Sequence, residues 1–234
     1  MEIGTVRERL WLLAHDDRAD LQPLLNPGAL AIGLMAATLV DLLLDDRIVC
    51  RGGFLKPHLQ SGRRAASREL DPITAGVLHE LTGETSRLSD VLRAARAELP
   101  ADQHHPYVRL YQRTLAALLA AGVVTEQRRT LRATRFYLAD AGGLSWNRGQ
   151  LNTRLVYHDR PSDPVTDCLA ALVWCLNLHT MLATPYTPGE AATILRQITE
   201  AIPRNAGPSS PLTVVPHLAA CVRTAVGDLA TAAF

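Results

Sequence analysis

The chain has 234 residues, with 24 basic against 23 acidic side chains, a formal net charge of +1 and a hydrophobic share of 47%. That length and apolar content can fill one sizeable core. The near-neutral balance excludes a global field pulling in nucleic acid or an anionic membrane, so any such partner must be held by a local patch. Four cysteines at 50, 168, 175 and 221 form no CxxC pair, and no signal peptide is visible, which together read as a reduced, cytoplasmic protein. Of the 24 basic residues only Lys56 is a lysine. That bias fits a GC-rich genome, so an arginine here is weaker evidence for anion recognition than its planar fork alone suggests.

Val6, Leu10, Leu12 and Leu13 recur near a helical period, with Arg7, Glu8 and Arg9 on the other side, which predicts a helix with one buried face. Asp16-Asp17 and the polar stretch to Pro27 end it, and Asn26-Pro27 signals the next helix. From Ala29 to Leu44 the residues are almost all apolar, broken by Thr38 and Asp41. About 16 such residues, with an Asp among them, fall short of the roughly 20 that span a bilayer. A buried core helix is expected instead. Arg47 to Cys50 and Phe54-Leu55, around Gly52-Gly53, read as a hairpin. The polar stretch from His58 to Glu69, with Arg63, Arg64 and Arg68, reads as a loop.

Pro72 opens a helix ended by Gly83, and Ser86 to Leu99 reads as another. Tyr107, Leu110, Tyr111, Leu115, Leu118 and Leu119 repeat at helical spacing up to a Gly122 cap. Val123-Val124-Thr125 and Arg135-Phe136-Tyr137-Leu138 then flank a basic tip carrying Arg128, Arg129 and Arg132. This is a helix followed by a β-hairpin. Helices are expected again over Val165 to Leu182, Pro188 to Ile202 and Pro216 to Leu229, with a loop near Gly207. The expectation is a mainly α, single globular helical domain over residues 1–234 with short β-hairpins, one following the helix that ends at Gly122.

Two motifs carry a resemblance. Leu39-Val40-Asp41-Leu42-Leu43-Leu44-Asp45-Asp46-Arg47-Ile48 leads a helix into a strand, and Leu118-Leu119-Ala120-Ala121-Gly122-Val123-Val124 leads a helix into a hairpin. With the acidic-turn helix pair before them, they resemble the Golgi phosphoprotein 3-like family, here as a bacterial member. The resemblance implies a non-enzymatic peripheral membrane adaptor that binds phosphatidylinositol 4-phosphate or another anionic headgroup, needs no cofactor and is reversibly membrane-associated. It also implies a homo-oligomer through the hairpin, and a protein cargo. In the family's eukaryotic members the headgroup is held by a Trp before the second helix, an Arg early in it, and two Args one turn apart in the helix preceding the hairpin. Carried over, the early Arg falls on Met35 and the Trp near Asn26, where there is no aromatic. The helical pair falls on Arg109 and Arg113, or on Val108 and Tyr111 when counted back from Gly122. Guanidinium forks bind phosphate bidentately, so Arg109 and Arg113 are the candidate headgroup ligands, with Leu24 and Leu25 as an apolar anchor. Arg128, Arg129, Arg132 and Arg135 would serve self-association or face an anion.

A helix followed by a basic hairpin is also what a winged-helix nucleic-acid binder offers. That alternative is disfavoured by the net charge and by a helix face holding only His104, His105, Arg109, Gln112 and Arg113 for base reading. No catalytic residue or metal ligand is assigned. No GxSxG, Walker, HExxH or dinucleotide motif occurs. Adjacent His104 and His105 cannot pair as helical ligands, and Trp146, His158, Trp174 and His179 are isolated.

Overall fold

The computed structural model describes residues 4–17, 20–51, 58–62, 70–83, 86–96, 109–129, 132–160, 163–182 and 185–231. Its order is α1 (Val6–Leu13), β1 (His15–Asp16), β2 (Gln22–Pro23), α2 (Pro27–Leu44), β3 (Ile48–Arg51), β4 (His58–Ser61), α3 (Pro72–Gly83), β5 (Ser86–Arg87) and α4 (Leu88–Arg96). Then come α5 (Leu110–Ala120), β6 (Val124–Arg129), β7 (Arg132–Leu138), α6 (Gly142–Val156), α7 (Pro164–Cys175), α8 (Pro188–Ala206) and α9 (Val215–Thr231). The expected mainly helical fold is what the chain adopts.

α2 is the hub. Asn26 caps it, its side chain accepting the Ala29 N–H at 2.8 Å, and Pro27 follows in the first turn. Its length and hydropathy would let it cross a membrane, but 72% of it is buried in the fold. It packs against α1, α3, α4, α5, α7 and α9, so the core reading of the apolar run holds. At Gly33 an added Cβ would lie 2.7 Å from Leu176 Cδ1, so a larger residue there would have to push the Leu176 side chain aside.

α1 differs from its expected one-sided form. Thr5 and Glu8 form a capping box at its start, yet Arg7 is 0% exposed and Arg9 is also buried. The Arg7 guanidinium is taken in because it has partners: it donates to Thr74 at 2.9 Å and to Asp71 at 2.8 Å. The Asp41 carboxylate, inside apolar α2, accepts the Val6 and Arg7 N–H groups at 2.8 and 3.2 Å. It satisfies the first turn of one helix from the side of another.

The first hairpin is also differently built. β3 pairs antiparallel with β4, Cys50 opposite Leu59, and β5 adds a third strand. The pairing strand lies inside the stretch expected to be a loop, where buried Leu59 gives it a core side. Phe54-Leu55 lies outside the described residues, as do Arg63, Arg64 and Arg68. Ser86 and Arg87 belong to β5, not to the following helix. The helix expected over Val165 to Leu182 stops at Cys175, because Asn177 turns left-handed (φ 57°) before a short 3-10 turn at Leu178–Met181. α6 was not anticipated. Its buried Leu144, Leu151 and Leu155 hold it against α1 and α7.

Candidate functional site

Three elements meet around the acidic turn after α1. Trp11 of α1 stacks on His15, ring centroids 3.7 Å apart, and His15 Nδ1 donates to the Trp11 carbonyl at 2.5 Å. A carbonyl only accepts, so Nδ1 carries the proton and Nε2 accepts the Tyr111 hydroxyl at 3.1 Å. Burial lowers the His15 pKa to about 4, outweighing the Trp11 carbonyl. The imidazole is therefore neutral at pH 7. It ties α5 to the turn.

The turn's acids are spent on arginines. Asp20 faces Arg135 of β7, with Nε to Oδ2 at 2.9 Å, and Asp17 accepts from Arg148 of α6 at 2.8 Å. One member of the basic hairpin is thus half-buried and neutralised within the fold. β6 and β7 pair antiparallel from Val124 opposite Leu138 to Arg129 opposite Arg132, with a register shift between Gln127 and Arg129. The backbone places Arg128, Arg129 and Arg132 at the far end of this hairpin; their side chains lie outside the described residues.

Arg109 is the exposed N-cap of α5, in the left-handed region at φ 57°, a conformation uncommon for a side-chain-bearing residue. Arg113 lies one turn on and donates its backbone N–H to the Arg109 carbonyl at 2.9 Å. Its side chain is half-buried and engaged. No side chain caps α5 among the described residues, and Arg109 stands at the positive end of the helix beside its first-turn N–H groups. Tyr111, the alternative register, points inward to His15. Val108, His104 and His105 lie outside the described residues.

The other carried-over positions are structural. Met35 is buried in mid-α2 and Asn26 is the α2 cap. Leu25 packs on the core, whereas Leu24 is 47% exposed. Of the isolated residues, Trp146 is 52% exposed with the Arg9 guanidinium 5.3 Å from its ring, and Trp174 lies under Arg223 at 4.6 Å. His158 bonds the Leu155 carbonyl through Nδ1 at 3.1 Å. Burial lowers the His179 pKa.

A cleft of about 610 Å³ opens at the start of α1, lined by Arg9, Asp41, Asp45 and Asp71 among others. Burial raises Asp41 to a pKa of about 7, against the pull of the Val6 and Arg7 N–H groups. Burial works the same way on Asp71, but Arg7 and Thr74 outweigh it and hold its carboxyl below the usual range. Both carboxylates already serve the fold. The sequence signal for Asp41 was its place in an apolar run, since a buried acid needs donors. No group of three His, Cys, Asp or Glu side chains among the described residues is arranged to hold a metal ion.

A family model described as Golgi phosphoprotein 3 (GPP34) matches residues 6–229. Among curated proteins nothing matches the chain.

Proposed function

From a chain that belongs to the Golgi phosphoprotein 3 (GPP34) family, we infer a non-enzymatic adaptor that associates peripherally and reversibly with membrane surfaces by binding an anionic lipid headgroup. The observation that carries the reading is the start of α5: exposed Arg109 beside first-turn N–H groups that no described side chain caps. A helix N-terminus favours a phosphate through both its donors and its dipole, and a guanidinium adds a charged fork. Arg113 lies one turn along the same helix, and the hairpin Args 128, 129 and 132 add basic charge beyond it. With Arg135 and Arg148 occupied by Asp20 and Asp17, attraction rests on few charges. At roughly 1 kcal/mol for each basic group near an anionic surface, binding is weak and salt-sensitive. The hairpin would support self-association, and the cytoplasmic face of a membrane is the expected location.

Liposome co-sedimentation tests this, comparing neutral vesicles with vesicles carrying phosphatidylinositol 4-phosphate, phosphatidylglycerol or cardiolipin. The native chain should pellet with anionic vesicles at low salt. Arg109→Ala, in a chain whose circular dichroism is unchanged, should lose most of that binding, and Arg113→Gln part of it. Failure to pellet with any anionic vesicle would overturn the reading, and retention on duplex DNA instead would turn it to nucleic-acid binding.

A further inference from the structure

A second feature lies between α4 and α9. There an apolar groove of about 220 Å³ has Leu92, Ala220 and Ala225 in its walls, and His217 and Cys221 line it as well. The two sit one turn apart on α9, Cys221 Sγ 3.4 Å from His217 Nε2. Cys221 packs against the edge of the core, and both residues line the groove. A nucleophile within hydrogen-bond reach of a base, opening onto an apolar slot, is the arrangement of an activated thiol.

We propose that Cys221 is an acyl-acceptor thiol, which takes a medium-chain acyl group from a carrier acyl thioester while the groove holds the chain. Burial lowers the His217 pKa and raises that of the Cys221 thiol, which favours a neutral imidazole beside a neutral thiol; in the tautomer protonated at Nδ1, Nε2 accepts the S–H. As Sγ attacks the thioester carbonyl carbon, Nε2 takes the thiol proton and a new S–C bond forms. The carrier's S–C bond then breaks, and the departing thiolate takes the proton back from Nε2. One thioester replaces another, so no oxidant or reductant is needed. The thiol's raised pKa makes the reaction slow without the imidazole.

The other thiols serve as internal references. Cys168 and Cys175 are fully buried in α7. Cys50 is half-buried on β3, near enough to Cys221 for the two charges to repel, yet no described histidine bonds it. Asp228 also lines the groove, and the next residue, Leu229, packs beside Gly28 at the start of α2. The inference stands independently of the headgroup reading.

The test incubates the full chain with octanoyl-coenzyme A or acetyl-coenzyme A and follows intact mass, peptide mapping and release by neutral hydroxylamine. One octanoyl group should appear on Cys221 in the native chain and in Cys50→Ser, and be absent from Cys221→Ser. His217→Gln should slow it by at least about tenfold. Ala225→Phe, which fills the groove and leaves the pair intact, should slow octanoyl but not acetyl transfer. Equal labelling of Cys50 and Cys221, or an undiminished rate in folded His217→Gln, would overturn the proposal.

Discussion

At the residue scale, two buried ionisable groups work in opposite directions with pH. His15, lowered to about 4 by burial, is neutral in the folded chain where the unfolded chain is protonated, so its contribution is lost as pH falls from about 6.5 to 4. Asp41, raised to about 7 by burial from an ordinary 3.8, behaves conversely. Between those values the folded chain keeps a proton that the unfolded chain releases, so stability drops as pH climbs from about 4 to 7 and then levels off. Arg7 and Asp71 face the group from α1 and the start of α3, pulling its pKa down and up respectively. Asp41→Asn cannot ionise, although it loses one of the two N–H acceptors at the start of α1. The variant should therefore be clearly less stable than the parent at pH 4.5, and the gap should narrow or reverse at pH 8. The swing is a few kcal/mol at most, at about 1.4 kcal/mol per pH unit. Thermal melts of both chains at the two pH values read it, and His15 cancels in the difference. A gap that does not change with pH would mean that Asp41 is not the buried, raised carboxyl described.

At the element scale, ion pairing decides how α1 and α3 are held. Asp71 both caps α3, accepting the Ile73 N–H at 3.0 Å, and neutralises the fully buried Arg7. Breaking a buried pair strands a charge, whereas the Arg93–Asp90 pair on α4 is exposed on both sides and contributes little. Asp71→Ala should lower stability by about 3 kcal/mol or more, and Asp71→Asn, which can still cap, by less. Asp90→Ala should lie within about 0.5 kcal/mol of the parent. Urea midpoints for the three variants would show this order, and an Asp71→Ala as mild as Asp90→Ala would mean that Arg7 is not held by charge.

Arg7 also shows what was legible in the sequence. Helices with a Pro start and a regular apolar stripe, such as α3 and α9, were readable because their signals are local. Arg7 looked like a solvated residue because its partner is 64 positions away, and no periodicity reveals a pairing at that separation. α6 escaped because Gly142-Gly143 and polar neighbours dilute a stripe of only three buried leucines. β4 escaped because a four-residue strand with one buried leucine hardly differs from a loop. For the candidate site, the α5-hairpin order was legible from Gly122, which adopts φ 68° after α5. The occupation of Arg135 by Asp20 was not, since the two are 115 residues apart in sequence.

For the whole molecule, the placement of α2 dictates how a membrane can be met. One cluster of buried side chains runs from Val6 to Val222 and includes both faces of α2. Drawing that helix into a bilayer would dissolve contacts with six other helices, at a cost far above the stability of a single domain. Among the described residues, the exposed large apolar side chains, such as Leu24, Trp146 and Tyr157, are single ones, and scattered exposed apolar residues do not insert a protein deeply. On the proposed reading, any attachment of the unacylated chain to a membrane would therefore be electrostatic. Once bound to phosphatidylglycerol or phosphatidylinositol 4-phosphate vesicles, it should be released by about 1 M NaCl, where the screening length falls to about 3 Å. Its near-ultraviolet circular dichroism should match that of the free chain. Protein that leaves the vesicles only with detergent would show that the core opens at the membrane, and that α2 is a lipid-facing helix instead of the hub of the fold.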